Sequence, residues 1–237
     1  MLFDSYLVRW NLTPDGAPIT THSGSLMLVR REGAPAMLKV AREADERWGA
    51  GMMVWWAGEG ATGEASLSDM ERNGRDDEAS RIICAVAARL HAPRNRRLPE
   101  IIPLARWFQD LEPAALRHGA IPRQATATAR ELLADPQDVV VLHGDLHHGN
   151  ILDFGPRGWL AIDPKRLLGD RGFGFANIFC NPDLATTTAP ERLSRQASVV
   201  ADAAGIDRAR LLKWIVAYAG LSAACGPWAM VASPIWR

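Results

Sequence analysis

The spacing of hydrophobic and polar positions changes along the chain, and each change marks an element. Over the first forty residues apolar runs alternate with turn signals: Tyr6 to Trp10, Pro14-Asp15-Gly16, Leu26 to Val29, Glu32-Gly33, then Ala36 to Val40. Short apolar runs punctuated by Gly, Pro and Asp are strands joined by turns, so this stretch reads as a small antiparallel meander. From Glu43 to Trp56 the period becomes helical, with Trp48, Met52 and Trp55 on one face and Gly58-Glu59-Gly60 at the end.

After residue 78 helical spacing dominates. Ile82, Ile83, Val86 and Leu90 share one face, as do Leu104, Trp107, Phe108 and Leu111, and Pro136 closes a helix carrying Leu132 and Leu133. The apolar run Val139 to Leu142 is a short buried strand. Ile151 to Phe154 and Trp159 to Ile162 flank Gly155-Pro156-Arg157-Gly158, the pattern of a hairpin. Gly205 ends one helix and Asp207 caps the next, which runs through Leu211, Trp214, Ile215 and Tyr218. Trp214 to Trp236 has no charged side chain and is long enough for a bilayer, but Gly226-Pro227 divides it, so a buried helix is expected and no membrane span.

Composition narrows the function. Charges cancel, 27 basic against 27 acidic over 237 residues, so no global field holds nucleic acid or an anionic membrane. Cys84, Cys180 and Cys225 are odd in number, widely spaced and mostly flanked by apolar residues, which suits reduced thiols and the cytoplasm. The amino terminus has no signal-peptide pattern.

The chemistry concentrates after the Val139 strand. His143-Gly144-Asp145-Leu146-His147-His148-Gly149-Asn150 has the form His-x-Asp-Leu-x-x-x-Asn, the spacing of a kinase catalytic loop. Phosphoryl transfer needs a carboxylate to take the proton of the acceptor hydroxyl, and Asp145 fits. It needs oxygen ligands for magnesium, and Asn150 and Asp163, the latter at the end of the hairpin, fit. Lys39, in an apolar strand, is the candidate contact for nucleotide phosphates, with Glu46 on the next helix as its partner and Glu43 as the alternative. Ser23-Gly24-Ser25 occupies the place of a phosphate-covering loop without a glycine-rich signature. A competing metal-hydrolase reading rests on His143, Asp145, His147 and His148. Adjacent histidines on one loop seldom face one ion, and no distant His or Cys cluster completes a shell.

These residues carry a resemblance. The runs Leu142 to Gly155 and Arg157 to Pro164, with weaker stretches at Pro35 to Ala41, Ala88 to Pro93, Ala176 to Phe179 and Gly220 to Ala224, are similar to the aminoglycoside/hydroxyurea antibiotic resistance kinase family, and within it to the streptomycin 6-phosphotransferases. The resemblance implies an α+β, bilobal protein-kinase-like fold, with a small β-rich amino-terminal lobe (1–65) and a mainly helical carboxy-terminal lobe (66–237). It implies ATP and Mg2+ between the lobes and an aminoglycoside as the small-molecule acceptor. Asp145 would be the base, Asn150 and Asp163 the metal ligands, and Lys39 the phosphate contact. Streptomycin carries guanidinium groups, so carboxylates should face it; Asp170, Asp183 and the helix near Trp214 are candidates. The resemblance jumps between Ala61 and Thr62, where two strands and the inter-lobe hinge belong, so an incomplete first lobe is expected. A degenerate, non-catalytic kinase-fold protein is the corresponding alternative.

Overall fold

The computed structural model describes residues 2–20, 24–42, 44–56, 65–118, 120–181, 184–187 and 189–229. In chain order the first part comprises α1 (Asp4–Trp10), β1 (Leu12–Pro14), β2 (Ile19–Thr20), β3 (Gly24–Arg31), β4 (Ala34–Ala41) and α2 (Ala44–Trp55). Then come β5 (Ala65–Ser66), α3 (Leu67–Arg72), α4 (Asp76–His91), β6 (Ile102–Pro103), α5 (Leu104–Trp107), α6 (Leu111–His118) and α7 (Ala120–Ala134). The chemistry-bearing region is β7 (Val139–Leu142), β8 (Ile151–Asp153), β9 (Trp159–Ala161) and β10 (Leu167–Asp170), followed by a 3-10 helix over Arg171–Cys180. Helices α8 (Leu184–Thr187), α9 (Pro190–Ala204) and α10 (Arg208–Ala229) complete it.

Strand β3 is the centre of the first sheet, pairing antiparallel with β1, β2 and β4. Between β3 and β4 only Glu32 and Gly33 intervene, at φ 53° and 81°. Two consecutive positive φ angles give the tight turn whose twist matches paired strands. Met27, Val29 and Leu38 from this sheet bury against Phe3, with Tyr6 and Leu7 of α1 packed beside them.

The run Tyr6 to Trp10, expected as a strand, is helical. Asp4 and Arg9 suit the positive and negative ends of its dipole, and Asn11 at φ 50° closes it by donating to the carbonyls of Leu7 and Val8. Over five residues an apolar run does not distinguish the two periods. The Leu104 to Leu111 face is likewise split between α5 and α6, with all four apolar residues still buried. Helix α10 continues through Gly226-Pro227 to Ala229, since one missing donor close to a helix end costs less than one at its centre. No helix among the described residues is long and apolar enough to cross a membrane.

The larger core has two clusters. One joins Ile83, Val86 and Leu90 of α4 to Leu146, Ile151, Phe175, Val200 and Leu211, and it also takes in Met52, Trp55 and Trp56 at the end of α2. The other gathers Phe108, Phe173, Trp214 and Tyr218, whose ring centroids lie 5.6–6.0 Å apart in tilted or edge-on pairs. Such pairs add about 1 kcal/mol each beyond the area they bury. Gly205 ends α9 at φ 61° and Asp207 accepts from the Arg210 N–H at 2.8 Å, as their residue types predict.

Candidate active site

Strand register alone brings the chemical segments together. Leu142, the last residue of β7, pairs with Leu167, the first of β10; Ile151, the first of β8, pairs with Ala161, the last of β9. The loops 143–150 and 162–166 therefore leave their sheets side by side. Backbone bonds lace them: the Ile162 N–H donates to the Asn150 carbonyl at 2.9 Å, and the Lys165 N–H to the His143 carbonyl at 2.6 Å. At the crossing, Gly144 has φ 83°, and a Cβ there would meet Leu167 Cδ1 at 2.9 Å and Lys165 Cβ at 3.0 Å. Only glycine satisfies both the conformation and the space.

Asp145 lies between these loops, half-buried. Its Oδ1 accepts from Asn177 Nδ2 at 2.7 Å, and its backbone carbonyl accepts from Asn150 Nδ2 at 2.9 Å. With the Asn150 amide nitrogen engaged, the carbonyl oxygen of that side chain is left as an acceptor. Asp163 follows β9 at φ 61°, a conformation Asp tolerates better than most residues and one that collects at functional sites. Its Oδ1 receives Lys39 Nζ from β4 at 2.9 Å, a contact spanning 124 positions of sequence. Lys39, Asp145, Asn150 and Asp163 thus meet at one place. Glu46 lies on α2, but its side chain, all of Glu43 and Ser23 fall outside the described residues; Gly24 and Ser25 open β3.

A magnesium ion suits this donor set. The Asp163 carboxylate and Asn150 carbonyl are hard oxygen ligands, and magnesium usually takes one or two protein carboxylates together with substrate phosphates. No group of three or more His, Cys, Asp or Glu placed to hold a metal occurs among the described residues. The histidines diverge. His143 is buried and stacks on Trp56, with centroids 6.0 Å apart and planes 9° apart, while its Nδ1 accepts from the Asp145 N–H at 3.3 Å. Burial pushes its pKa down to about 4, against the opposing pull of Asp145. Burial also lowers His147, whose Nδ1 accepts from the Gly149 N–H at 3.1 Å. His148 turns away to Asp76, with Nε2 3.3 Å from Oδ1. The hydrolase alternative therefore lacks its ligand cluster.

Several neighbours were not identified as functional from sequence. Asn181 Nδ2 donates to Asn177 Oδ1 at 2.8 Å, fixing the amide that holds Asp145. Behind Asn181, Arg192 of α9 donates to the Asn181 carbonyl at 3.3 Å and makes a two-point bond to Asp76 of α4, at 2.9 and 3.2 Å. Burial alone would raise the Asp76 pKa, but the neighbouring His148 and the hydrogen-bonded Arg192 outweigh it and hold it below the ordinary value. Lys165 completes the group, its Nζ 3.8 Å from Asp145 Oδ2 and 3.9 Å from Asp163 Oδ2. No period in the sequence marks it, because residues 162–166 form a loop between β9 and β10.

Asp170 does not face a substrate. It is buried and accepts from the backbone N–H groups of Gln137 and Gly172, from Trp214 Nε1 and from Arg210. Trp214 is buried with it, and Asp183 lies outside the described residues.

Known proteins are similar to this chain over most of its length. The profile of the family described as aminoglycoside/hydroxyurea antibiotic resistance kinase matches residues 9–63 and 61–229, two blocks that meet at 61–63. A streptomycin 3''-kinase of Klebsiella pneumoniae is 48% identical over 237 aligned positions, covering 91% of this chain and 89% of its own. A streptomycin 6-kinase of Streptomyces griseus is 31% identical over 252 positions, covering 88% of this chain and 76% of its own. That alignment is longer than the chain itself, so the relative carries residues with no counterpart here. Among solved structures, a type VIII aminoglycoside-3'-phosphotransferase superposes with a TM-score of 0.57 at 16% identity, covering 92% of this chain and 97% of that one. This last likeness concerns the fold alone, which is the bilobal protein-kinase-like one.

Proposed function

This chain belongs to the aminoglycoside/hydroxyurea antibiotic resistance kinase family, and from that premise we propose that it moves the γ-phosphoryl group of ATP to a hydroxyl of streptomycin or a close analogue, conferring resistance. The observation that carries the reading is the ion pair of Lys39 with Asp163 beside Asp145, which joins strand, hairpin and loop at one point. Asp145 takes the proton of the acceptor hydroxyl while that oxygen bonds to the γ-phosphorus. The bond from phosphorus to its bridging oxygen breaks, and its electron pair leaves with ADP. Asn177 keeps the carboxylate aimed. Asn150 and Asp163 hold Mg2+, which when bound offsets the charge of the phosphates. Lys39 exchanges Asp163 for nucleotide phosphate oxygens.

Residues 1–65 act as the nucleotide-covering lobe and 66–237 as the lobe holding base and acceptor. The setting is the cytoplasm, where ATP is available and thiols stay reduced; burial pushes Cys84 up to about 12 and Cys180 up to about 11, so both are neutral. The higher identity to the 3''-kinase favours the 3''-hydroxyl over the 6-hydroxyl. A second reading, ligand binding without transfer, is favoured by the family match falling into two blocks that meet at 61–63 and by an alignment to the 6-kinase that is longer than this chain.

Incubation with streptomycin, magnesium and γ-labelled ATP separates the readings. Transfer of label by the wild-type chain, reduced about 10³-fold in Asp145→Asn, is the expected result, and NMR of the product identifies the hydroxyl. Streptomycin binding with no transfer would support the second reading instead.

A further inference from the structure

We propose that Lys165 is a further catalytic residue, the cation that offsets charge on the phosphoryl group while it passes from ATP to the acceptor; the proposal rests on the phosphotransferase reading. Its place is the first argument. The phosphorus must lie between the group that takes the hydroxyl proton and the group that holds the metal. Lys165 Nζ is within 4 Å of both, 3.8 Å from Asp145 Oδ2 and 3.9 Å from Asp163 Oδ2.

The second argument is that this ammonium is held in position yet uncommitted. Distances of 3.8 and 3.9 Å exceed hydrogen-bond length, in contrast to the 2.9 Å contact of Lys39. Among the described residues Lys165 Nζ has no hydrogen-bond partner. Its backbone is nevertheless fixed by the bond to the His143 carbonyl, and its side chain is only 22% exposed. Three donors therefore remain for phosphoryl oxygens, on a stem that the loop crossing holds in place.

Residue choice is the third argument. The chain has 24 arginines and only three lysines, Lys39, Lys165 and Lys213. Lys213 is an exposed partner of Glu131. The other two flank the same carboxylate, Lys39 at Oδ1 and Lys165 at Oδ2 of Asp163. A compact ammonium fits between two carboxylates and a small tetrahedral group, whereas a planar guanidinium would bridge the carboxylates and stay there. Preorganised cations aimed at developing charge are among the strongest catalytic devices available to a phosphotransferase.

A rival role is that Lys165 acts only through Asp145, keeping it ionised. The two differ in measurable ways. If Lys165 meets the phosphoryl group, Lys165→Ala lowers the plateau of the kcat–pH profile by about 10²–10³-fold without moving its acid limb, and Lys165→Arg recovers only part. In the binding readout, Lys165→Ala keeps the Kd for ADP with magnesium within about threefold, while affinity for ADP, magnesium and aluminium fluoride with streptomycin falls about 10²-fold. A loss confined to low pH and recovered at alkaline pH would overturn the proposal in favour of the rival role. Equal weakening of ADP and fluoride complexes, or no change in either, would also overturn it. An inactive wild-type chain would remove the phosphotransferase reading and this proposal together, whereas an active wild type with an unaltered Lys165→Ala variant removes the proposal alone.

Discussion

At the scale of single residues, the carboxylate of Asp145 depends on an amide. Asn177 Nδ2 donates to it at 2.7 Å and is itself fixed by Asn181. Asn177→Asp keeps the size and replaces that donor by a second carboxylate. A like charge at this distance raises the pKa of a base, so the acid limb of kcat/KM should move to higher pH by at least about one unit. A pH–rate profile with an unmoved acid limb would show that Asn177 does not govern the base. Asp145, Asn150 and Asp163 were legible in the sequence because one loop and one hairpin fix their spacing, and Lys39 because an isolated lysine in an apolar strand is conspicuous. Asn177 and Lys165 were not. Their contacts arise from a 3-10 helix and a loop crossing, neither of which has a period to read.

Among the elements, α4 and α9 form a clamp beneath the loop 143–150. Asp76, Arg192, Gln196 and His148 are all buried, and a hydrogen-bond path runs from Arg192 through Asn181 and Asn177 to Asp145. The Asp76 pKa is held below its ordinary value, so the ion pair persists at mild acidity. The imidazoles behave differently. Burial pushes both His91, at the end of α4, and His143, at the start of the loop, down to about 4. Between pH 6.5 and 4 the unfolded chain binds protons there that the folded chain refuses, so stability falls as pH drops through that window. His143 alone accounts for about 2 kcal/mol at pH 5. The urea midpoint should therefore fall clearly between pH 7.5 and pH 5, and equal midpoints would contradict the burial argument. Strand β7 and the hairpin were legible because β-rich apolar runs beside glycine leave little choice. Helix α1 was not, since its cap at Asn11 emerges only from a left-handed φ.

Across the whole molecule, the core divides into a small cluster under the first sheet and two larger ones beyond it. Strand β4 delivers Lys39 from a sheet whose own cluster is small, Phe3, Met27, Val29 and Leu38. Met52 and Trp55 of α2 and Trp56 just after it are instead built into the large core, which the helical period showed as a buried face without showing what it faced. Asp145, Asn150 and Asp163 thus rest on the larger lobe, and Lys39 on one strand of the first sheet. Adenine is another matter: in this fold its partners are hinge backbone groups, and the break in the resemblance between Ala61 and Thr62 lies outside the described residues. Among the described residues β4 pairs only with β3, so strands that would extend the sheet past Lys39 are not seen. ATP should accordingly be held mainly through magnesium and its phosphates. Inserting between Ala61 and Thr62 the residues of the Klebsiella pneumoniae relative that have no counterpart in this chain should supply such contacts, and the Kd for ATP with magnesium should then tighten at least tenfold, or about 1.4 kcal/mol. ADP should gain as much, because the added contacts are to adenine, while tripolyphosphate should gain nothing. Equal affinities for ATP before and after the insertion would mean that this chain holds adenine by groups of its own, and that its first lobe is complete as it stands.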